Sequence, residues 1–378
     1  MRPSPAHLPP FPAPTVTDSP PWLLYGAYGY TGRLLAEEAV SRGHRPVLAG
    51  RDEERLRPLA EELGCPMRVV GLDDPAALRE ALHGMKAVLH AAGPFVETAP
   101  PMLAAALDVG THYLDITGEV PVFEHVFEHS EGARDRGVVL LPGVGMDVVP
   151  TDTAAALLAE RLPGARTLEL ALSTGSGPSR GTLHTIVRHL SDGLLVRRNG
   201  RLGRLGPGRR EFRRRVDFGP GVEGGVRWVS PYSWGDLSTA YRSTGIESIT
   251  VYMARSRREV RLLPWILPLL RGLFSLEMVR RWAHRRIALR PEGPDAETRE
   301  QARTRVWGRV EDARGRSESL VLETFEGYRF TAMVGIRALE ALFARPALSG
   351  ALTPTMAFGA GWALELPGTR LLDSRAEP

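Results

Sequence analysis

Residues 22–32, WLLYGAYGYTG, constrain this chain more than any other stretch. A short apolar run from Trp22 to Tyr25 leads directly into Gly26, Gly29 and Gly32. Residues 33–42 follow, with Leu34, Leu35, Ala36, Ala39 and Val40 forming the apolar face of a helix. Strand, glycine-rich turn and helix is the order that holds a dinucleotide pyrophosphate. Glycines let the backbone approach the phosphates, and the N–H groups and dipole of the helix N-terminus face the negative charge. The spacing is G-x-x-G-x-x-G, with Ala27 where G-x-G-x-x-G has its first glycine. Gly26, Ala27, Tyr28, Gly29, Tyr30, Thr31 and Gly32 are therefore the candidate phosphate cradle. Glycine-rich turns are common, so the order of elements around this one has to support it.

It does. From residue 22 to about residue 150, short apolar runs alternate with amphipathic stretches. Strands are expected at 45–50, 68–72, 87–92, 112–116 and 138–141, with helices at 52–63, 75–82, 98–109 and 122–136 between them. Strands separated by helices in this way predict βαβ units and a parallel sheet covered on both faces, a Rossmann-type α/β domain over residues 21–150. Past residue 150 the pattern changes to a helix at 151–161, a strand at 167–173, a helix at 182–195 and a β-ribbon over 197–254 that turns at Asn199 and Gly200. Helices are expected again at 335–343 and 352–366. Residues 151–344 read as a second, α+β domain with a mixed sheet, forming the other wall of a cleft. A length of 378 residues accommodates two such domains. Residues 1–20 are Pro-rich and lack the apolar core of a secretory signal, so they read as a disordered extension.

The end of the second strand indicates which cofactor the cradle takes. An NAD site places Asp or Glu there to bind the ribose 2′-hydroxyl. Here the strand ends Ala49, Gly50, Arg51, and an arginine pairs with a 2′-phosphate instead, which favours NADP over NAD. Asp73, beyond the third strand, and Ala92, Gly93 and Pro94, beyond the fourth, complete the cofactor-side residues. Acid/base candidates gather at the ends of the fifth and sixth strands, where an open α/β sheet faces its ligand crevice: His112, Tyr113, Asp115 and Glu119 in THYLDITGE, and Asp147 in PGVGMDVVPTD, with Tyr113, Asp115 and Asp147 foremost. Short-chain dehydrogenase chemistry is excluded, because it requires Tyr-x-x-x-Lys and the only lysine, Lys86, has Leu82 four residues before it.

Other features resolve into ordinary structure. His125, Glu128 and His129 match H-x-x-E-H, but Phe123, Val126 and Phe127 form the buried stripe of that helix, so no metal site is expected. Gly177, Ser179 and Gly181 match G-x-S-x-G, yet intervening glycines separate the serine from its strand, against a nucleophile elbow. A formal charge of +4 is small for this length, and the Arg-rich residues 197–215 lack interleaved aromatics apart from Phe212, so no nucleic-acid partner is expected. One cysteine, Cys65, excludes an internal disulfide and fits a reducing, cytoplasmic setting. No apolar run reaches the ~18 residues of a spanning helix. Residues 262–276 (LLPWILPLLRGLFSL) read first as a buried core or homodimer segment, with a peripheral membrane contact as the alternative.

Taken in order, GAYGYTG, LAGR, AAGPF, HYLDITGE and PGVGMDVVPTD resemble the saccharopine dehydrogenase-like NADP-binding proteins, a group that includes the trans-acting enoyl reductases. The resemblance is strongest over residues 22–182 and continues more loosely through Trp234, Gly235 and Asp236, Gly327 and Tyr328, and LTPTMAFG. It implies an NADP-binding Rossmann domain completed by residues 345–370, a mixed-sheet substrate domain, and a C-terminal helix returning to the first domain. It also implies hydride transfer to or from an enoyl, carbonyl or imine substrate, lipid-like in view of residues 262–276. Gly26, Gly29, Gly32 and Arg51 match the family's cofactor motif, and Asp115 and Asp147 match its recurring acidic positions. A cofactor-binding sensor or scaffold without turnover is the alternative of a different class.

Overall fold

The computed structural model describes residues 20–189, 193–206, 212, 214–221 and 224–372, so the expected extension at 1–20 lies outside the described residues save for Pro20. The first half of the chain runs β1 (Trp22–Tyr25), α1 (Tyr30–Ser41), β2 (Val47–Gly50), α2 (Glu53–Leu63), β3 (Met67–Val69), α3 (Pro75–Leu82), β4 (Ala87–His90), α4 (Phe95–Val109), β5 (His112–Asp115), α5 (Val120–Glu128), α6 (Ser130–Asp135) and β6 (Val139–Leu141). Next come α7 (Val149–Arg161), β7 (Ala165–Thr174), α8 (Arg180–His189), β8 (Leu195–Arg198), β9 (Arg201–Arg204), β10 (Arg214–Asp217), β11 (Val226–Pro231), α9 (Asp236–Thr244) and β12 (Ser248–Arg255). The remainder is α10 (Arg257–Phe274), α11 (Glu277–Ala288), α12 (Ala296–Gln301), β13 (Arg303–Asp312), β14 (Ser317–Phe325), α13 (Gly327–Phe343), β15 (Gly350–Ala351), α14 (Pro354–Phe358) and β16 (Arg370–Leu372).

The first sheet is wholly parallel in the order β15-β6-β5-β4-β1-β2-β3. Strands β1, β4 and β5 are buried along their whole length because helices cover both faces. Alternate residues of β1 serve the two layers: Trp22 and Leu24 join the core beneath α1, while Leu23 and Tyr25 join the core beneath α3 and α4. The second sheet is nine-stranded and mixed, along the order β10-β11-β12-β7-β13-β14-β16, with β7 and β12 parallel and the β8–β9 hairpin attached to β12. This is the expected Rossmann-type domain beside a mixed-sheet α+β domain. Helix α13 leaves the second sheet and packs on α1, returning the C-terminal region to the first domain.

Several elements differ from their sequence expectation. The helix expected over 122–136 breaks at His129, whose ring Nδ1 lies 2.9 Å from the His125 carbonyl, the acceptor that residue 129's own N–H would use in an unbroken helix. The ribbon over 197–254 is interrupted by α9, and residues 352–366 form α14 and a separate 3₁₀ turn at Trp362–Glu365. Strands β13 and β14 had no sequence expectation. Of the expectation of a buried core or homodimer segment at 262–276, the core half is overturned: Trp265 and Leu269 are 77% and 73% exposed, and Val260 is the only described residue of α10 that is buried. The hairpin at Asn199 and Gly200 is present, both residues having positive φ, 47° and 75°.

Candidate functional site

The order of the parallel sheet reverses between β1 and β4, the place where open α/β sheets bind ligands. The glycine turn leaves β1 at that point. Gly26 has φ +82°, and a Cβ there would stand 2.8 Å from the Ala92 side chain in the loop after β4. A Cβ on Gly32 would stand 2.1 Å from the Gly26 carbonyl oxygen. Both positions require the absence of a side chain, so the loop can lie flat on the sheet edge. Helix α1 begins at Tyr30 with Gly29 as its N-cap and has no side-chain cap, which leaves its first N–H groups pointing out of the turn. Thr31 and Gly32 lie within that first turn, while Ala27 is fully buried against the sheet. A cradle that tolerates no Cβ, closed by an uncapped helix N-terminus, fits a dinucleotide pyrophosphate.

Just past the tip of β2, Asp52 is engaged in capping α2 by accepting the Arg55 N–H at 3.2 Å. Arg51 is exposed. Arg55, which sequence reading missed, stacks over the Tyr28 ring at 4.6 Å, and that ring rests on Gly50. The signal for Arg55 is its place one turn into α2, three residues after the capping Asp52. Asp73 is exposed and folds back over Gly71 near Tyr25, the residue that Arg51 also influences. Beyond β4 the Gly93–Pro94 peptide is cis, and Thr98 ties the loop down by donating its hydroxyl to the Ala92 carbonyl at 2.5 Å. The first N–H groups of α4 are occupied: Phe95 and Val96 donate to the Glu119 carboxylate at 2.8 and 3.2 Å.

The acid/base candidates separate by environment. Tyr113 is fully buried and donates its hydroxyl to Asp115 at 2.7 Å. Asp115 is fully buried as well and accepts from the Thr117 and Gly143 N–H groups at 3.0 and 2.9 Å. Burial pushes the Asp115 carboxyl up to about 6, against the pull of those hydrogen bonds. The pair is fully buried and holds together the turns after β5 and β6. Asp147 is different. It sits in the turn before α7, partly buried, with its carboxylate against Gly118 and its backbone carbonyl accepting from the Trp234 indole N–H. Burial first, and the neighbouring Glu119 charge second, push its carboxyl up to about 7.

Two tyrosines that were not among the candidate site residues of the sequence, Tyr232 and Tyr328, lie in the same region. Tyr232, pushed up to about 12 by burial, and Tyr328, raised mainly by burial, both feel the Asp147 charge. The Tyr328 ring meets Tyr30 of the glycine turn edge-to-face at 5.1 Å, and its hydroxyl accepts the Ser179 N–H at 2.6 Å. The aromatic Tyr30–Tyr328 contact joins residues almost 300 positions apart, so no local signal marks it. Tyr30 also donates its hydroxyl to the Pro294 carbonyl at 2.5 Å, placing the segment after α11 over the turn. Ser179 receives the Thr182 N–H at 3.2 Å as the cap of α8, and His125 and Glu128 lie 4.0 Å apart on the outer side of α5.

Comparison with known proteins agrees with this geometry. The family described as NAD(P)H-binding matches residues 26–113. The chain is 35% identical over 156 residues to the trans-acting enoyl reductase of Mycobacterium leprae (strain TN), covering 39% of this chain and 37% of that protein. It is 28% identical over 183 residues to the saccharopine dehydrogenase-like oxidoreductase of Bos taurus, covering 43% of each. The matched stretch thus spans well under half the length of these curated relatives. Among solved structures, apo saccharopine dehydrogenase (L-Glu forming) from Saccharomyces cerevisiae superposes with a TM-score of 0.58 at 13% identity, over 94% of this chain and 100% of that one, a likeness of fold.

Proposed function

We propose that the chain is a member of the saccharopine dehydrogenase-like NAD(P)-binding family and that it is an NADP(H)-dependent oxidoreductase acting on an enoyl, carbonyl or imine substrate. Residues 21–150 hold the cofactor and residues 151–344 supply the other wall of the cleft. The observation that carries the reading is that the uncapped N-terminus of α1, after β1, and Asp147, after β6, both lie beyond the carboxyl ends of the parallel strands. The nicotinamide, when bound, supplies or takes the hydride. The chain has to handle the proton. Below about pH 7 Asp147 keeps a proton that an ordinary aspartate would have lost, and in this reading it gives that proton to the alkene carbon that does not receive the hydride, or to the oxygen or nitrogen of a C=O or C=N whose carbon does. Asp147 is left as the carboxylate, and the Glu119 beside it stays tied to α4. Arg51, with Arg55 stacked nearby, favours the 2′-phosphate of NADP.

NADPH oxidation measured against enoyl thioesters, 2-oxo acids and imino acids tests the reaction. Arg51→Ala is expected to weaken NADPH binding about tenfold, the scale of one charge-assisted contact, with NADH binding unchanged. Equal affinity of the native protein for NADH and NADPH would remove the case for NADP. NADPH binding without turnover of any of the three substrate classes would make the protein a cofactor-binding module instead.

A further inference from the structure

The described residues include one pronounced apolar surface away from the cofactor crevice. Along α10, Leu262, Trp265, Leu269 and Leu273 recur at helical spacing and are all exposed. Helix α11 continues the surface with Met278 and Trp282, 77% and 62% exposed, through Leu276 in the turn between the two helices. The opposite side of α11 is anchored, with Ala283 and Ile287 packing against Leu183 and Val187 of α8. Soluble monomers rarely expose so many large apolar groups together, and a surface of this kind marks a place of contact.

Charge decides what covers it. Residues 257–290 contain nine arginines and two glutamates. Both glutamates are engaged locally, Glu259 in the capping box with Ser256 and Glu277 with Arg280 and Arg281. The apolar face is therefore rimmed by strong positive charge. A second copy of the chain docked on this face about a two-fold axis would bring two such rims together, and repulsion opposes that arrangement. A face of Trp and Leu bordered by arginine matches a bilayer surface carrying negative headgroups. No described helix alone is long and apolar enough to cross a membrane. The two helices pass that test only as a pair bent by 103°, and the anchoring of α11 on α8 keeps the apolar groups on one outward side.

We propose that α10 and α11 lie in the interfacial plane of an anionic lipid bilayer, with Trp265, Leu269 and Trp282 inserted among the acyl chains. The proposal rests on this surface and not on the reaction assigned above. The docked helices connect directly to the crevice: α8 starts beside Ser179 and its bond to Tyr328, and the segment after α11 brings the Pro294 carbonyl to Tyr30.

Flotation of the full chain with phosphatidylcholine vesicles, and with vesicles half phosphatidylglycerol, tests the proposal. The protein is expected to float with the anionic vesicles, to be released as salt rises, and to stay behind with the neutral ones. The double substitution Trp265→Glu and Leu269→Glu is expected to reduce flotation at least tenfold with an unchanged melting temperature, because both side chains are exposed. Failure of the native chain to bind anionic vesicles overturns the proposal, and a native dimer that the double variant splits would then assign the face to a second copy. Vesicle binding untouched by the double variant, or equally strong on neutral lipid, also overturns it.

Discussion

At Asp147, burial and the Glu119 charge hold a carboxyl protonated up to about pH 7, where the unfolded chain ionises near 4. Because the folded pKa is the higher one, the folded state binds the extra proton between those values. Stability therefore falls as pH rises from about 4 to about 7, and the full cost is present above 7. Asp147→Asn removes the ionisation while keeping the shape. It is expected to raise stability at pH 8 by roughly 2–4 kcal/mol, and by much less at pH 5, while abolishing turnover. Denaturant titrations at the two pH values check this. An equal gain at both would show that the carboxyl is not held protonated by its surroundings. In the native protein the rate is expected to fall as pH rises through 7, where Asp147 loses its proton. Asp115, carrying three hydrogen bonds in place of an open side, is a hinge pin of the β5 and β6 turns by contrast.

Whether an element was legible in the sequence depended on how its burial is achieved. The first sheet was legible because strands buried on both faces are unbroken apolar runs such as AVLH and WLLY, each followed by a turn. The cradle was legible for the same reason, since its glycines, Arg51 and Asp147 all sit within a few residues of those strand ends. In β13, RTRVWGRVED, Val306, Gly308 and Val310 face the core at α7, while the other face carries Arg305, buried and paired with Glu323 directly opposite on β14, so the strand reads as polar. In α9 the buried residues include Asp236, Ser238 and Thr239 beside Leu237 and Ala240, which conceals a core helix as a turn-rich stretch. Tyr328 and Tyr232 entered the site through packing between distant segments. The Arg305–Glu323 pair also makes a prediction. Arg305 donates to Glu323 at 2.6 and 2.9 Å and to the Phe218 carbonyl at 2.8 Å, with both side chains buried. Glu323→Ala leaves a buried guanidinium uncompensated and is expected to cost about 3–5 kcal/mol, whereas Arg305→Met combined with Glu323→Leu should be close to neutral. Urea unfolding of both variants checks this, and a loss below about 1 kcal/mol for Glu323→Ala would show that the pair is dispensable.

At the scale of the whole molecule, the return of α13 to α1 makes one body of the two sheets, since a single core runs from Leu35 and Leu89 through Phe330 and Leu339 to Leu170 and Leu322. Close approach of the two helices uses Gly335, where a Cβ would stand 2.8 Å from the Leu35 side chain. The contact is locked at its end by Glu340, which accepts from Arg42 Nε and Nη2 at 2.8 Å each and lies 3.1 Å from His44 Nε2. Burial alone would raise the Glu340 carboxyl, but the His44 and Arg42 hydrogen bonds and the arginine charges outweigh it and bring the value down to about 2. A folded pKa below the unfolded one means stabilisation that is complete above about pH 4.5 and lost as pH falls from there to about 2. Glu340→Gln is expected to cost about 3 kcal/mol at pH 7 and to flatten the stability profile between pH 4.5 and 2, because no ionisation remains to be lost. Since α13 also carries Tyr328 to Tyr30 and Thr331 to the Met146 N–H, loosening its far end should weaken NADPH binding as well as stability. Melting curves and NADPH titrations of Glu340→Gln at pH 7 read both effects. A variant that loses stability yet binds NADPH as the native chain does would show that the α1–α13 contact holds the molecule together without shaping its cofactor crevice.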